Sequence, residues 1–262
     1  MIDEAANEFA KLVDVVAELR GENGCPWDKK QTHDSLRPYL VEETYEVLDA
    51  IDHGSDGKLK EELGDVLLQA LLHAELARER GAFDIGDVCR VIREKLIRRH
   101  PHVFGEVKVS GVEDVLHNWE VIKAGEPGYE DRKSALDGVP KSLPALIRAT
   151  EISKRASKVG FDWPKVTDIL DKLREESEEL SEAIASGRTE DVSREIGDTL
   201  FVIVNVARYL GIDAEDSLRE MLDRFSSRFG QIEERARSTG RQVSDMTLEE
   251  MDAVWDEAKR SG

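Results

Sequence analysis

One acidic pattern, written twice, constrains this chain more than any other feature. "EETYE" starts at Glu42 and is followed by Glu62 and Asp65 in "EELGD"; "EESEE" starts at Glu175 and is followed by Glu195 and Asp198 in "REIGD". Glu46 and Glu179 stand 133 residues apart (179 − 46 = 133), as do Glu62 and Glu195, and Asp65 and Asp198. Around the first set, apolar residues recur at three- and four-residue steps: Leu36, Leu40, Val47 and Ile51, then Leu63, Leu67 and Leu71. That is the period of helices with one buried face. Comparable periods run through roughly 4–20, 84–98, 112–124, 143–158, 165–186, 189–210, 213–236 and 247–260. Only Val107 to Val109 hints at a strand. The expected fold class is all-α, as two tandem helical-bundle domains from an internal duplication.

The duplication reaches beyond the acids. Lys95 and Arg99 answer Arg224 and Arg228 at an offset of 129, and Trp119 and Lys123 answer Trp255 and Lys259 at 136. "CPWD" (Cys25–Asp28) loosely answers "GFDW" (Gly160–Trp163). Pro127, Pro140 and Pro144 cluster between the copies. The expected division is an N-terminal domain 1–124, a linker 125–147 and a C-terminal domain 148–262.

Residues three apart share a helix face, so Glu43 pairs with Glu46 and Glu62 with Asp65. If the two helices pack antiparallel across the turn near Gly54 and Gly57, four carboxylates converge. Crowded like charges raise one another's pKa unless something neutralises them. An all-oxygen ligand set selects a hard divalent cation, Mg²⁺ first, with Mn²⁺ as a substitute. A glutamate-rich helix face is more often simply a solvated face. Asp65 and Asp198 weaken that plainer reading, since each interrupts a strongly apolar helix, "ELGDVLLQALL" and "EIGDTLFVIV".

A formal charge of −19 argues against a broad nucleic-acid-binding face, which needs clustered Lys and Arg. No apolar run approaches the roughly 18–20 residues of a membrane span. The start carries Asp3 and Glu4 rather than a basic segment and an apolar stretch, and no signal peptide is expected there. Two cysteines, Cys25 and Cys89, make no disulfide framework, and a cytoplasmic protein is expected. "HPH" (His100–His102) reads as a loop after a helix end, and no glycine-rich phosphate loop is present. Trp119 and Trp255 read as core anchors or as stacking platforms. A di-iron bundle would want Glu-x-x-His, and no histidine stands three after a glutamate. The non-enzymatic alternative is a helical dimerisation or interaction module with solvated acidic faces.

The paired patterns Glu42, Glu43, Glu46 with Glu62, Asp65, and Glu175, Glu176, Glu179 with Glu195, Asp198, resemble the MazG family of all-α nucleoside triphosphate pyrophosphohydrolases. "GCPWDKKQTHDSLRPYLVEETYEVLDAI", "RRHPHVF" and "SLPALIRATEISKRASKVGFDW" look like stretches of its tandem-domain members. The resemblance implies a helical homodimer that hydrolyses a nucleoside triphosphate to monophosphate and pyrophosphate with Mg²⁺. It implies metal ligands at Glu176, Glu179, Glu195 and Asp198, matching Glu43, Glu46, Glu62 and Asp65 in the first half. It implies nucleotide contacts at Lys172 through Glu176 (Arg174 among them), Asp191 through Arg194, Arg224 through Arg228, and Trp255; the repeat adds Lys95 and Arg99. "RFSSR" keeps basic ends at Arg224 and Arg228 but carries serines between them, a departure that leaves finer contacts open. Glu175 or Glu176, if not committed to metal, could take a proton from water. Seven residues past Asp198 lies Asn205, where the first half has Leu72; Lys172 matches Tyr39. An amide can bond a sugar or base edge and a leucine cannot. On those two contrasts the C-terminal half is the expected working site.

Overall fold

The computed structural model describes residues 2–126 and 133–261. They fold into helices and one 3₁₀ turn, with no strand among the described residues. The chain divides into two compact units, 1–130 and 131–262. Pro127 lies outside the described residues.

In the N-terminal unit the helices are α1 (Ile2–Arg20), α2 (Pro26–Lys29), α3 (His33–Asp52), α4 (Asp56–Glu79), α5 (Ile85–Arg99), α6 (Pro101–Phe104) and α7 (Val112–Ala124). Local chemistry sets their starts. Thr32 caps α3 by accepting from the Ser35 amide at 3.1 Å, while Ser35 Oγ accepts from the Thr32 amide at 2.9 Å. Ser55 caps α4, and Asp84 and Asp87 form the same reciprocal box at the start of α5. α3 and α4 pack side by side across the turn at Gly54, whose φ of +63° is the left-handed region that glycine enters without strain. Their shared core holds Leu36, Leu71, Leu72 and Leu76 against Val16 of α1, with Phe9, Leu12 and Ile85 around it. Burying a side chain such as Leu36 stabilises by about 1.5–3 kcal/mol.

The C-terminal unit repeats this plan with α8 (Ala145–Lys158), α9 (Val166–Ser186), α10 (Thr189–Tyr209), α11 (Ala214–Ser238), a 3₁₀ turn (Val243–Asp245) and α12 (Leu248–Ser261). α9 and α10 pair as α3 and α4 do, and their turn uses Gly187 at φ +72°, again 133 residues after its counterpart Gly54. Ile169, Val202 and Val204 are buried in this unit, together with Ile232 of α11 and Val254 of α12.

Three local expectations change. Val107–Val109 is irregular chain, not a strand. "HPH" is not a loop: Pro101 opens the helical turn α6, where its fixed φ and missing N–H suit a first helical position. "CPWD" and "GFDW" are not conformational copies, because Pro26 starts a helical turn in the first, whereas the second runs through bends before α9. No helix of the described residues is long and apolar enough to cross a membrane.

Candidate metal centres and their basic neighbours

Each helix pair brings carboxylates from two helices together. Oxygens of Glu43, Glu62 and Asp65 lie within 4.8 Å of one another in the N-terminal unit, and those of Glu176, Glu179 and Glu195 do so in the C-terminal unit. Glu43 and Glu176 are repeat equivalents, as are Glu62 and Glu195; the third member differs. Glu46 stays outside the first trio, although its charge bears on Glu62, and Asp198 stays outside the second. Three of the four expected acids therefore converge in each unit. Asp65 is half-buried and Asp198 is exposed, so the expectation of an acid buried within an apolar helix fails for Asp198. The apolar residues beside it, Ile196 and Leu200, are themselves exposed.

The electrostatics of the trios fit a hard cation. Burial pushes the Glu43 carboxyl up, and the charges of Asp65 and Glu46 push it further. Glu62 is raised by burial and then by Glu46. Glu179 is raised by burial, with Lys172 pulling the other way and Glu176, Glu175 and Glu195 adding to the rise. Oxygen-only donors held this close suit a hard divalent cation rather than a softer metal.

Each centre has its own lysine: Lys58 acts on Glu62 in the N-terminal unit, and Lys172 acts on Glu176 in the C-terminal one. Lys172 Nζ lies 2.7 Å from Glu175 Oε1 and 2.9 Å from Glu176 Oε1, which raises the lysine's own pKa. Its repeat equivalent, Tyr39, instead meets Trp27 edge to face. Glu176 is buried and Glu175 exposed, so the two proposed proton acceptors face different surroundings.

Of the expected nucleotide contacts, Arg174 pairs with Asp171 and Arg194 with Asp191 one helical turn away, all near α9 and the start of α10. Arg224 pairs with Glu220 at 3.4 Å on the exposed surface of α11. Arg228 lies over the Trp255 ring at 5.8 Å from its centroid, and Phe225 packs on the same indole at 5.1 Å. The first-half counterpart repeats the stacking, with Arg99 over Trp119 at 5.1 Å; Lys95 stands one turn earlier, half-buried. Both tryptophans thus hold an arginine in place.

Asn205 does not do what the sequence suggested. It is 1% exposed, its Oδ1 accepts from Ser153 Oγ, and its Nδ2 donates to the Phe201 carbonyl at 2.9 Å. The amide joins α8 to α10, and its burial keeps its remaining hydrogen-bonding capacity away from a sugar or base. Its counterpart Leu72 is also buried, in the N-terminal core. The contrast between the two is one of core packing, polar in one unit and apolar in the other.

Sequence reading missed Glu126, which lies in the region assigned to the linker. Its carboxylate receives Arg98 Nη2 at 2.6 Å and Arg99 Nε at 3.0 Å, and these partners hold it at a pKa of about 2. Nothing local signals this, because the partners are 27 and 28 residues earlier.

A comparable pair anchors α12 and with it Trp255. Arg241 donates to both oxygens of Glu250, each at 2.9 Å, holding Glu250 at about 2. A carboxylate whose folded pKa lies below its unfolded value of 4.5 stabilises above 4.5. That contribution is lost as pH falls through about 2. Glu250→Gln is therefore expected to lower the Tm at neutral pH, with the difference from the parent chain closing between about 4.5 and about 2. A Tm difference that stays constant across that window would refute the anchoring role.

A family model described as the MazG nucleotide pyrophosphohydrolase domain matches this chain twice, over residues 31–104 and 165–232. The chain is 45% identical over 256 residues to the nucleoside triphosphate pyrophosphohydrolase/pyrophosphatase MazG of Thermotoga maritima, covering 98% of this chain and 97% of that one. It is 42% identical over 257 residues to the nucleoside triphosphate pyrophosphohydrolase of Escherichia coli, covering 97% and 98%. A Bacillus subtilis protein, YabN, is 50% identical over 256 residues; the match covers 97% of this chain and 52% of YabN.

Proposed function

The chain belongs to the MazG family, and on that premise we propose that it hydrolyses nucleoside triphosphates to monophosphate and pyrophosphate at the carboxylate trio of its C-terminal unit. The observation that carries this reading is the trio Glu176, Glu179 and Glu195, flanked by Lys172 and accompanied in the same unit by Arg228 on Trp255. A solvated acidic face would not need one of its acids buried, as Glu176 is.

Glu176, Glu179 and Glu195, with Asp198 one turn further along α10, hold Mg²⁺ in this proposal, and Mn²⁺ substitutes. A divalent cation there supplies charge neutralisation on phosphate oxygens and acidifies water, worth several kcal/mol by order of magnitude. The chain's own groups do the rest. Glu175, outside the trio, accepts the proton of the attacking water, while Lys172 holds that carboxylate in position and offers charge to a phosphate oxygen. Arg224 and Arg228 steady the departing pyrophosphate, and Trp255 keeps the Arg228 guanidinium oriented. Arg174 and Arg194, each tied by a neighbouring aspartate, line the approach from α9 and α10.

A panel of ribo- and deoxynucleoside triphosphates, with products separated, tests the activity. Monophosphate plus pyrophosphate is expected with Mg²⁺ and nothing with a chelator. Diphosphate plus phosphate would overturn the bond assignment, and no turnover with any nucleotide would favour the interaction-module reading.

The same reading includes a homodimer. α10 leaves Ile196, Leu200 and Ile203 exposed, and α11 leaves Leu218, Met221, Leu222 and Phe225 exposed, each set at helical spacing. The N-terminal unit exposes the matching Leu63 and Leu67 on α4, and Ile92 and Leu96 on α5. Stripes of this kind mark surfaces that gain from burial. Light scattering at micromolar concentration is expected to give twice the 29.5 kDa chain mass; the monomer mass would refute the dimer.

A further inference from the structure

We propose that the N-terminal unit contains a phosphate-accepting site filled by the chain's own Glu126, which keeps that unit closed to nucleotide. The identification of the seat as one for phosphate rests on the function proposed above. The seat itself rests on the geometry of two arginines, a tryptophan and a carboxylate.

Arg98 reaches Glu126 Oε1 through Nε at 3.1 Å and Nη2 at 2.6 Å. Arg99 reaches the same oxygen through Nε at 3.0 Å and donates from Nη2 to Oε2. Two planar forks closed on one anion are the arrangement by which arginine recognises carboxylate and phosphate alike. The site is also inside the protein: Arg99 is 9% exposed and Glu126 14%. Two guanidinium groups against one carboxylate leave a net positive charge, which suits an anion carrying more charge than Glu126 does.

The second unit provides an internal comparison. Arg228, the repeat equivalent of Arg99, has the same place over its tryptophan but makes no ion pair among the described residues. Position 98 is answered by Ser227, so that unit has one arginine fewer at the equivalent place. The same stacked arginine is thus left for a ligand in one unit and closed by an internal anion in the other. Beside the closed seat, His100 meets Trp119 edge to face, and His102 stands 5.6 Å from His100 with a buried Nδ1 that has no hydrogen-bond partner. A buried nitrogen left unpaired is unusual and is a ready partner for a ligand oxygen.

Glu126 competes as a tethered group. Its effective concentration at the seat is on the order of millimolar, so free phosphate compounds displace it poorly. Removing its charge removes the competitor and leaves the Arg98 and Arg99 guanidinium groups facing a neutral amide.

The test titrates inorganic pyrophosphate into the full chain with a chelator present, so that the carboxylate trios hold no metal. Calorimetry should show a binding step in Glu126→Gln that the parent chain lacks, and the step should vanish in the double variant Glu126→Gln/Arg98→Ala. Pyrophosphate should also raise the Tm of Glu126→Gln by about 4 °C more than that of the parent chain, as expected when ligand exceeds Kd about tenfold. A lower Tm with no new binding step would make Glu126 a purely structural partner and overturn the proposal. Loss of the helical signal in Glu126→Gln that pyrophosphate does not restore would overturn it as well. If the parent chain also fails to hydrolyse any nucleoside triphosphate with Mg²⁺, the proposed function has failed, whichever result Glu126→Gln gives.

Discussion

Glu179→Gln is expected to lower Mg²⁺-dependent nucleoside triphosphate hydrolysis by more than about tenfold while leaving the helices intact. Glutamine keeps the shape of the side chain and removes the charge that one of three converging carboxylates brings to the cation. The substitution should be gentle on the fold. Glu179 is exposed, and its pKa is raised by desolvation and by Glu176, Glu175 and Glu195 against the pull of Lys172, so neutralising it relieves repulsion among the acids. Circular dichroism should match the parent chain, and the metal-free Tm should hold or rise. The Tm gain on adding Mg²⁺ should shrink, because the trio binds the cation less tightly. Turnover unchanged at saturating Mg²⁺ would remove the C-terminal trio from the chemistry.

Asp198→Asn should abolish most nucleoside triphosphate hydrolysis, whereas Asp65→Asn, 133 residues earlier, should leave most of it. Asp198 is exposed and Asp65 half-buried, so the first substitution carries the smaller structural burden and the larger functional effect. That opposition makes the contrast informative. Its basis is the surroundings of the two centres: Lys172 beside Glu175 and Glu176 and an available Arg228 in one unit, Tyr39 and a clamped Arg99 in the other. Equal losses would mean that both centres turn over or that they are coupled. A larger loss from Asp65→Asn would reverse the assignment. Helical content and Tm of both variants should be recorded beside the rates.

Of the two sequence reasons for preferring the C-terminal centre, Lys172 stands beside its acids and Asn205 drops out. The sequence favoured it through Asn205, read as an amide free for a nucleotide. In the fold that amide bonds Ser153 and the Phe201 carbonyl and holds two helices together. A residue type states which hydrogen bonds it is able to make, not which neighbours have already taken them. The contrast proposed in its place, the Glu126 clamp, joins residues separated by all of α6 and α7, and Glu126 itself lies in a stretch that the sequence assigned to a linker.

What the sequence determined by itself is whatever repeats at short range. Helical periodicity, the capping residues Thr32, Ser55 and Asp84, and the glycines of the α3–α4 and α9–α10 turns all act within a few residues of themselves. The duplicated spacing of the acids then predicted two carboxylate clusters, because a helix pair closed by a tight turn has little freedom in which faces it opposes. The tertiary structure alone decided which three of four acids converge, that Asp198 is exposed, and that Arg99 is held by Glu126 while Arg228 is not. Each of these depends on side chains from separate helices competing for the same space and the same charge, and no local pattern records the outcome of that competition.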